Sequence, residues 1–181
     1  MARAVFAAKS TSTELTPGTL SIALRTVINP GDEVIYHEPC FVSYRPTIIM
    51  AGGVPVCVET RREDQFRLTR AMLEKAVTKK TRVLMLNFPC NPTGAVLGQK
   101  DVEDISDFCA KHDLLLLTDE IYAELTYDSK HVSFVSVPGM KERTIFLHGM
   151  SKAWAMTGFR IGYACAPADI SENMMKLHQY A

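Results

Sequence analysis

Short apolar runs alternate with helix-patterned stretches along most of the chain, and this alternation restricts the fold more than any other feature. Residues 33–36, 54–58, 82–87, 114–119, 144–148 and 161–164 read as strands. Several are continuously apolar, as strands covered on both faces must be. Between them the period changes. Residues 19–28 align Leu20, Ala23, Leu24, Val27 and Ile28 on one helical stripe. Residues 69–78 carry Met72, Leu73, Ala76 and Val77 in the same way, and residues 99–112 carry Val102, Ile105, Ser106 and Cys109. Strands separated by helices predict βαβ units, hence an α/β domain with a largely parallel sheet.

Composition narrows the class of partner. The chain has 181 residues, 47% of them hydrophobic and 22% charged, with a net charge of +0. That length suits one domain with one sizeable core. A neutral balance without a basic cluster argues against nucleic acid or an anionic membrane surface. No apolar run approaches the ~20 residues of a membrane span. The cysteines, Cys40, Cys57, Cys90, Cys109 and Cys165, are odd in number and lack a C-x-x-C pair. They read as reduced thiols of a cytoplasmic protein, without a disulfide framework or a metal site.

Residues 1–13 contain no acidic residue and are taken as a poorly ordered leader, with the domain proper over 14–181. Residues 169–181 open a helix with capping residues and stop without a glycine. This fits a frayed end or a piece of a longer chain.

Ligands of parallel sheets sit beyond the carboxyl ends of the strands. Three predicted strands end there in polar groups: Asn91 in Asn87-Phe-Pro-Cys-Asn-Pro-Thr-Gly94, Asp119 and Tyr122 in Asp-Glu-Ile-Tyr, and Lys152 after Gly149-Met-Ser. Each alone has an ordinary explanation as a turn amide, a helix cap or a solvated charge. Their convergence on one edge does not. Lys152 and Arg160 stand eight positions apart around a small-residue turn. A desolvated lysine beside an anion-gripping arginine suits a carbonyl cofactor that also bears a phosphate.

Asn91-Pro-Thr-Gly94, Asp119-Glu-Ile-Tyr122, and Ser151-Lys152 followed by Arg160-Ile-Gly-Tyr163 resemble the class I/II aminotransferases of pyridoxal-phosphate fold type I, in order and in rough spacing. The segment from Ile28 to Pro46 resembles the family's approach to its ring-stacking aromatic. The resemblance covers the chain from about Glu14 to the end. It implies a three-layer α/β/α domain with a mostly parallel mixed sheet. It also implies pyridoxal 5'-phosphate as cofactor, amino acids and 2-oxo acids as substrates, and a homodimer.

Carried over residue by residue, Lys152 would form the Schiff base and move the substrate proton. Asp119 would face the pyridine nitrogen, and Tyr122 and Asn91 the phenolate oxygen. Arg160 would pair with the phosphate, with Ser151 in a lesser role, and Phe41 would stack on the ring. The family's phosphate cradle falls near Thr16-Pro17-Gly18-Thr19, making Gly18 and Thr19 further candidates. The stretch from that glycine to Asn29 is about one helical turn shorter than usual, and the strand before it shrinks to Glu14-Leu15-Thr16. Gly149 stands where a phosphate-binding serine is common.

The family's N-terminal segment and C-terminal small domain have no counterpart among these residues, so the expectation is the large cofactor domain alone. Two other readings stay open: a fold-type-I carbon–sulfur lyase, disfavoured by tyrosine at 122 where many such lyases have histidine, and a cofactor-binding module without full catalysis.

Overall fold

The computed structural model describes residues 5–9 and 15–180, with side chains from Gly18 onward. It contains one seven-stranded sheet in the order β1-β7-β6-β5-β4-β2-β3. The strands are β1 (Val5–Lys9), β2 (Glu33–Glu38), β3 (Val54–Glu59), β4 (Thr81–Asn87), β5 (Leu115–Asp119), β6 (Thr144–Gly149) and β7 (Ile161–Cys165). β2 to β6 pair in parallel, and β7 runs antiparallel to both of its neighbours. The expected mostly parallel mixed sheet is what the chain forms.

The helices are α1 (Leu15–Val27), α2 (Tyr44–Met50), α3 (Arg70–Ala76), α4 (Gln99–Lys111), α5 (Met150–Ala153) and α6 (Ala168–Gln179). They make two apolar layers. Val83 and Met85 of β4 pack with Leu20, Ala23 and Leu24 of α1 and Ile48 of α2. Leu84 and Leu86, the alternate residues of the same strand, pack with Leu73 of α3 and Val102, Ile105 and Phe108 of α4. A strand buried on both faces must be apolar at every position, which is why β4 and β5 show no alternation. Each fully buried aliphatic or aromatic side chain here contributes on the order of 1.5–3 kcal/mol.

Three local features depart from expectation. Residues 5–9, read as part of a leader, lie along β7 as β1. Their backbone covers what would otherwise be an open sheet edge. The remainder of that leader falls outside the described residues. Leu15 and Thr16, read as the remnant of a strand, instead open α1, which therefore starts four residues before the predicted helix. Pro17 fits there because the first turn of a helix has no intrahelical partner for its missing N–H. The short helix α2 is the third departure. Its seven residues include Pro46 and two isoleucines, so neither propensity nor period announces it. Among the described residues no helix is long and apolar enough to cross a membrane.

Candidate cofactor site at the strand ends

The parallel strands deliver their carboxyl ends to one edge, and β4 and β5 finish in register, Asn87 beside Asp119. Asn87 is 1% exposed. Its Nδ2 donates to the Asp119 carbonyl at 2.9 Å, and its Oδ1 accepts the Asn91 N–H at 2.9 Å. One buried amide thus ties the loop that carries Asn91 to the end of the next strand. The sequence marks Asn87 only as the last residue of the strand predicted over 82–87. From that loop the Asn91 Nδ2 donates to the Tyr122 hydroxyl at 3.3 Å.

Asp119 is buried. Its Oδ1 accepts the Ile121 N–H at 3.2 Å, and its Oδ2 accepts the Tyr44 O–H at 2.9 Å. Tyr44 lies edge-on to Phe41, with ring centroids 5.9 Å apart. Phe41, partly buried against the core, also borders an open cleft of about 600 Å³ shared with Glu38, Arg45 and Glu59.

The next residue, Glu120, points away into a second polar cluster. It is 1% exposed and accepts from Thr118 Oγ1, Ser133 Oγ and the Phe134 N–H. His131 Nε2 lies 2.6 Å from its Oε2. A buried carboxylate demands such partners, and here they pin the segment after Tyr122 back onto the end of β5.

Lys152 rides on α5, directly after β6. Its Nζ stands 6.0 Å from the centroid of the Tyr122 ring, joining the lysine to the Asn91–Tyr122 pair. Beneath α5 lies an aromatic layer. His148 stacks on Tyr163 (5.5 Å) and Phe146 (5.9 Å) and is tilted against Trp154 (5.9 Å). Burial lowers the His148 pKa, with nearby Glu120 opposing in part, and its Nδ1 accepts the Gly149 N–H at 2.8 Å. Gly149 itself pairs with Gly162 of β7. A Cβ there would stand 3.3 Å from the Ile161 carbonyl oxygen and 3.5 Å from the Gly162 Cα. Close strand packing therefore accounts for glycine where a serine was expected.

Ser151 is buried and its Oγ has no hydrogen-bond partner among the described residues. Arg160 follows a 3-10 turn at Thr157–Phe159 and adopts φ 55°, a left-handed backbone. Its Nη1 donates to the Thr157 carbonyl at 2.9 Å. Gly18 and Thr19 are the fourth and fifth residues of α1, one turn inside the helix rather than at its mouth. Thr19 is buried, and its Oγ1 also lacks a partner among the described residues. Among the candidates, then, Asn91, Tyr122 and Lys152 form one chain of neighbours, and Phe41 and Asp119 are joined through Tyr44. Sequence reasoning missed Tyr44 and Asn87. Both act across the fold, and no local pattern marks them.

Comparison with known proteins agrees with this architecture. The family model for aminotransferase class I and II matches residues 16–180. An aspartate aminotransferase of Pyrococcus abyssi is 49% identical over 160 residues, covering 88% of this chain and 41% of that protein. An aromatic-amino-acid aminotransferase of Thermococcus litoralis is 48% identical over 170 residues, covering 92% and 44%. The crystal structure of an aromatic aminotransferase from Pyrococcus horikoshii superposes with a TM-score of 0.92 at 45% identity, over 97% of this chain and 46% of that one. The chain thus spans about two fifths of the length of the curated relatives it matches. With the sheet order and these matches in agreement, the chain belongs to the class I and II aminotransferases.

Proposed function

We propose that these residues are the cofactor-carrying domain, from about residue 14 onward, of a pyridoxal-phosphate-dependent aminotransferase that exchanges an amino group between an amino acid and a 2-oxo acid. The observation that carries this reading is the chain of neighbours Asn91, Tyr122 and Lys152 beside the buried Asp119. The residues suit the cofactor chemically. A buried carboxylate at a strand end matches a pyridine nitrogen, two amide and phenol donors match a phenolate oxygen, and the buried hydroxyls of Ser151 and Thr19 match an anion that needs donors.

When bound, pyridoxal phosphate supplies a conjugated ring that accepts electrons from the substrate Cα. In this reading Lys152 would hold it covalently and would serve as the base for the proton at that carbon. Asp119 keeps a proton on the ring nitrogen. Tyr122 and Asn91 would donate to the phenolate oxygen, and Phe41 would be the residue to stack on the ring. Arg160, Ser151, Thr19 and Gly18 are the residues for the phosphate, Arg160 by charge-assisted hydrogen bonds.

A homodimer and a cytoplasmic setting belong to the same proposal. Trp154, Phe159 and Ile161 expose apolar area next to Lys152, which suits a covering partner. The unpaired thiols suit a reducing compartment.

The test is to mix the chain with pyridoxal 5'-phosphate, reduce with borohydride and map the modified peptide by mass. The label is expected on Lys152; a protein that takes none overturns the reading. A chain that labels at Lys152 yet moves no amino group from any donor would instead be a cofactor-binding module. Its span of about two fifths of its relatives makes that the arm to run second.

A further inference from the structure

Lys152 is carried by a helix of four residues, Met150–Ala153. A single turn of that length has little stability of its own. Its N-cap is Gly149, which has no side chain to cap it and which pairs across the sheet with another glycine, Gly162. The last side chains before the turn are therefore the cross-strand pair His148 and Tyr163. Their rings stack at 5.5 Å and 22°, and Phe146 stacks on His148 at 5.9 Å and 15°.

From this stack His148 reaches both ends of the turn. At the entrance its Nδ1 accepts the Gly149 N–H at 2.8 Å. At the exit its ring meets that of Trp154, the residue just past the helix, at 5.9 Å. Beyond Trp154 the chain bends through Ala155 at φ 50°. The described bonds there are backbone ones, from the Ala155 N–H to the Lys152 carbonyl and from the Met156 N–H to the Met150 carbonyl. Histidine also adds a proton site. To accept from Gly149, Nδ1 must be bare, and a protonated ring loses that acceptor. Burial disfavours the charged ring and His131 adds to this, while Glu120, Glu124 and the Gly149 backbone oppose it; burial prevails, and the pKa is lowered. Tyr163 stays neutral, its own pKa raised chiefly by burial, and Lys152 is the cation of the turn itself.

We propose that His148 is a positioning residue for Lys152, holding the two ends of its turn while the ring is neutral and loosening them when it is protonated. It acts through Gly149 and Trp154. The importance of Lys152 rests on the proposed function; the hold on its turn rests on geometry alone.

The test follows amide hydrogen exchange in the cofactor-free whole chain, as wild type, His148→Phe and His148→Asn, at about pH 7.5 and about pH 5.5, above and below the ordinary histidine range. Phenylalanine keeps a ring without the acceptor. Asparagine keeps an acceptor at the position of Nδ1 without the ring, and neither titrates. At the higher pH, His148→Phe should lower protection chiefly at the Gly149 amide and His148→Asn chiefly at Ala155 and Met156, each about threefold to tenfold, the range of one hydrogen bond or ring contact. At the lower pH the wild-type advantage over both variants should shrink severalfold, because an opened turn frees the histidine to take up a proton. His37 is common to all three proteins and cancels in this difference. Both variants should also weaken uptake of pyridoxal 5'-phosphate, read as borohydride-fixed label on Lys152, by a similar factor. A merely structural histidine would lower the melting temperature and leave these local protections, their pH response and the labelling equal to wild type; that result overturns the inference. If His148→Phe fails to fold, His148→Asn carries the same comparison. If wild type takes no label at Lys152, the functional reading fails while the exchange data still judge His148. If it labels and both variants match it throughout, His148 alone is wrong.

Discussion

The ends of β4 and β5 and the turns after β6 adjoin one another, yet they are built in opposite ways. At β4 and β5 every polar group described has a protein partner. Asn87 bridges to Asp119 and to the Asn91 loop, Tyr44 and the Ile121 N–H hold the Asp119 carboxylate, and Glu120 gathers a second cluster behind it. After β6 the chain passes through the four residues of α5 and a 3-10 turn. Trp154 is 50% exposed there and Phe159 64%. The carboxylate half of the site comes with the sheet, at the stability of the core. The lysine and arginine half rests on short turns, whose order is marginal unless another surface or a ligand adds to it.

The largest test of this contrast removes the hub behind Asp119. Glu120→Ala leaves two hydroxyls, a backbone N–H and His131 without their acceptor. We expect a loss of about 3–5 kcal/mol in urea unfolding. A loss under about 1 kcal/mol would mean that the sheet half is not the rigid one.

Acid should strike the same half. Burial pushes the His37 pKa down from 6.5 to about 4, and its ring stacks on Phe88 of the Asn91 loop at 4.8 Å. The folded state keeps this histidine neutral while the unfolded chain takes up a proton below pH 6.5. Stability is therefore whole above that pH, falls as pH drops toward 4, and levels off below. The difference is about 3 kcal/mol. His37→Phe should flatten the stability curve between pH 6.5 and 4; an unchanged slope would assign the acid sensitivity elsewhere.

Asn87→Ala comes next. It strands the Asn91 N–H and removes the donor to the Asp119 carbonyl, at a cost of about 2 kcal/mol, and hydrogen exchange should quicken in the Asn91 loop first. The smallest effect belongs to the turn half. Phe159→Ser should change the stability of the isolated chain by less than about 0.5 kcal/mol. A penalty equal to that of Asn87→Ala would erase the contrast between the two regions.

The same division explains what could be read from the sequence. Asn91, Asp119, Tyr122 and Lys152 each follow an apolar run, so strand ends alone place them on one edge. The strands buried on both faces, such as residues 82–87, were legible because solvent leaves no polar position in them. Tyr44 was not, because its partner lies 75 residues away and the helix that carries it contains a proline. Asn87 looked like the end of a strand because its two bonds cross to other segments. Nor could the start of α1 or the pairing of residues 5–9 be read, since one depends on a proline that usually stops helices and the other on a vacant edge at β7.

The separation of Tyr44 from Asp119, and the pairing of Val5 with Cys165 at the sheet edge, have a consequence in time as well as in space. Contacts between residues so far apart must meet the entropy of closing long loops before they return any energy. A ribosome delivers Asp119 long after Tyr44, and β7 later still. The candidate site should therefore be complete only once the sheet has closed, and the cofactor proposed for it would be taken up no earlier.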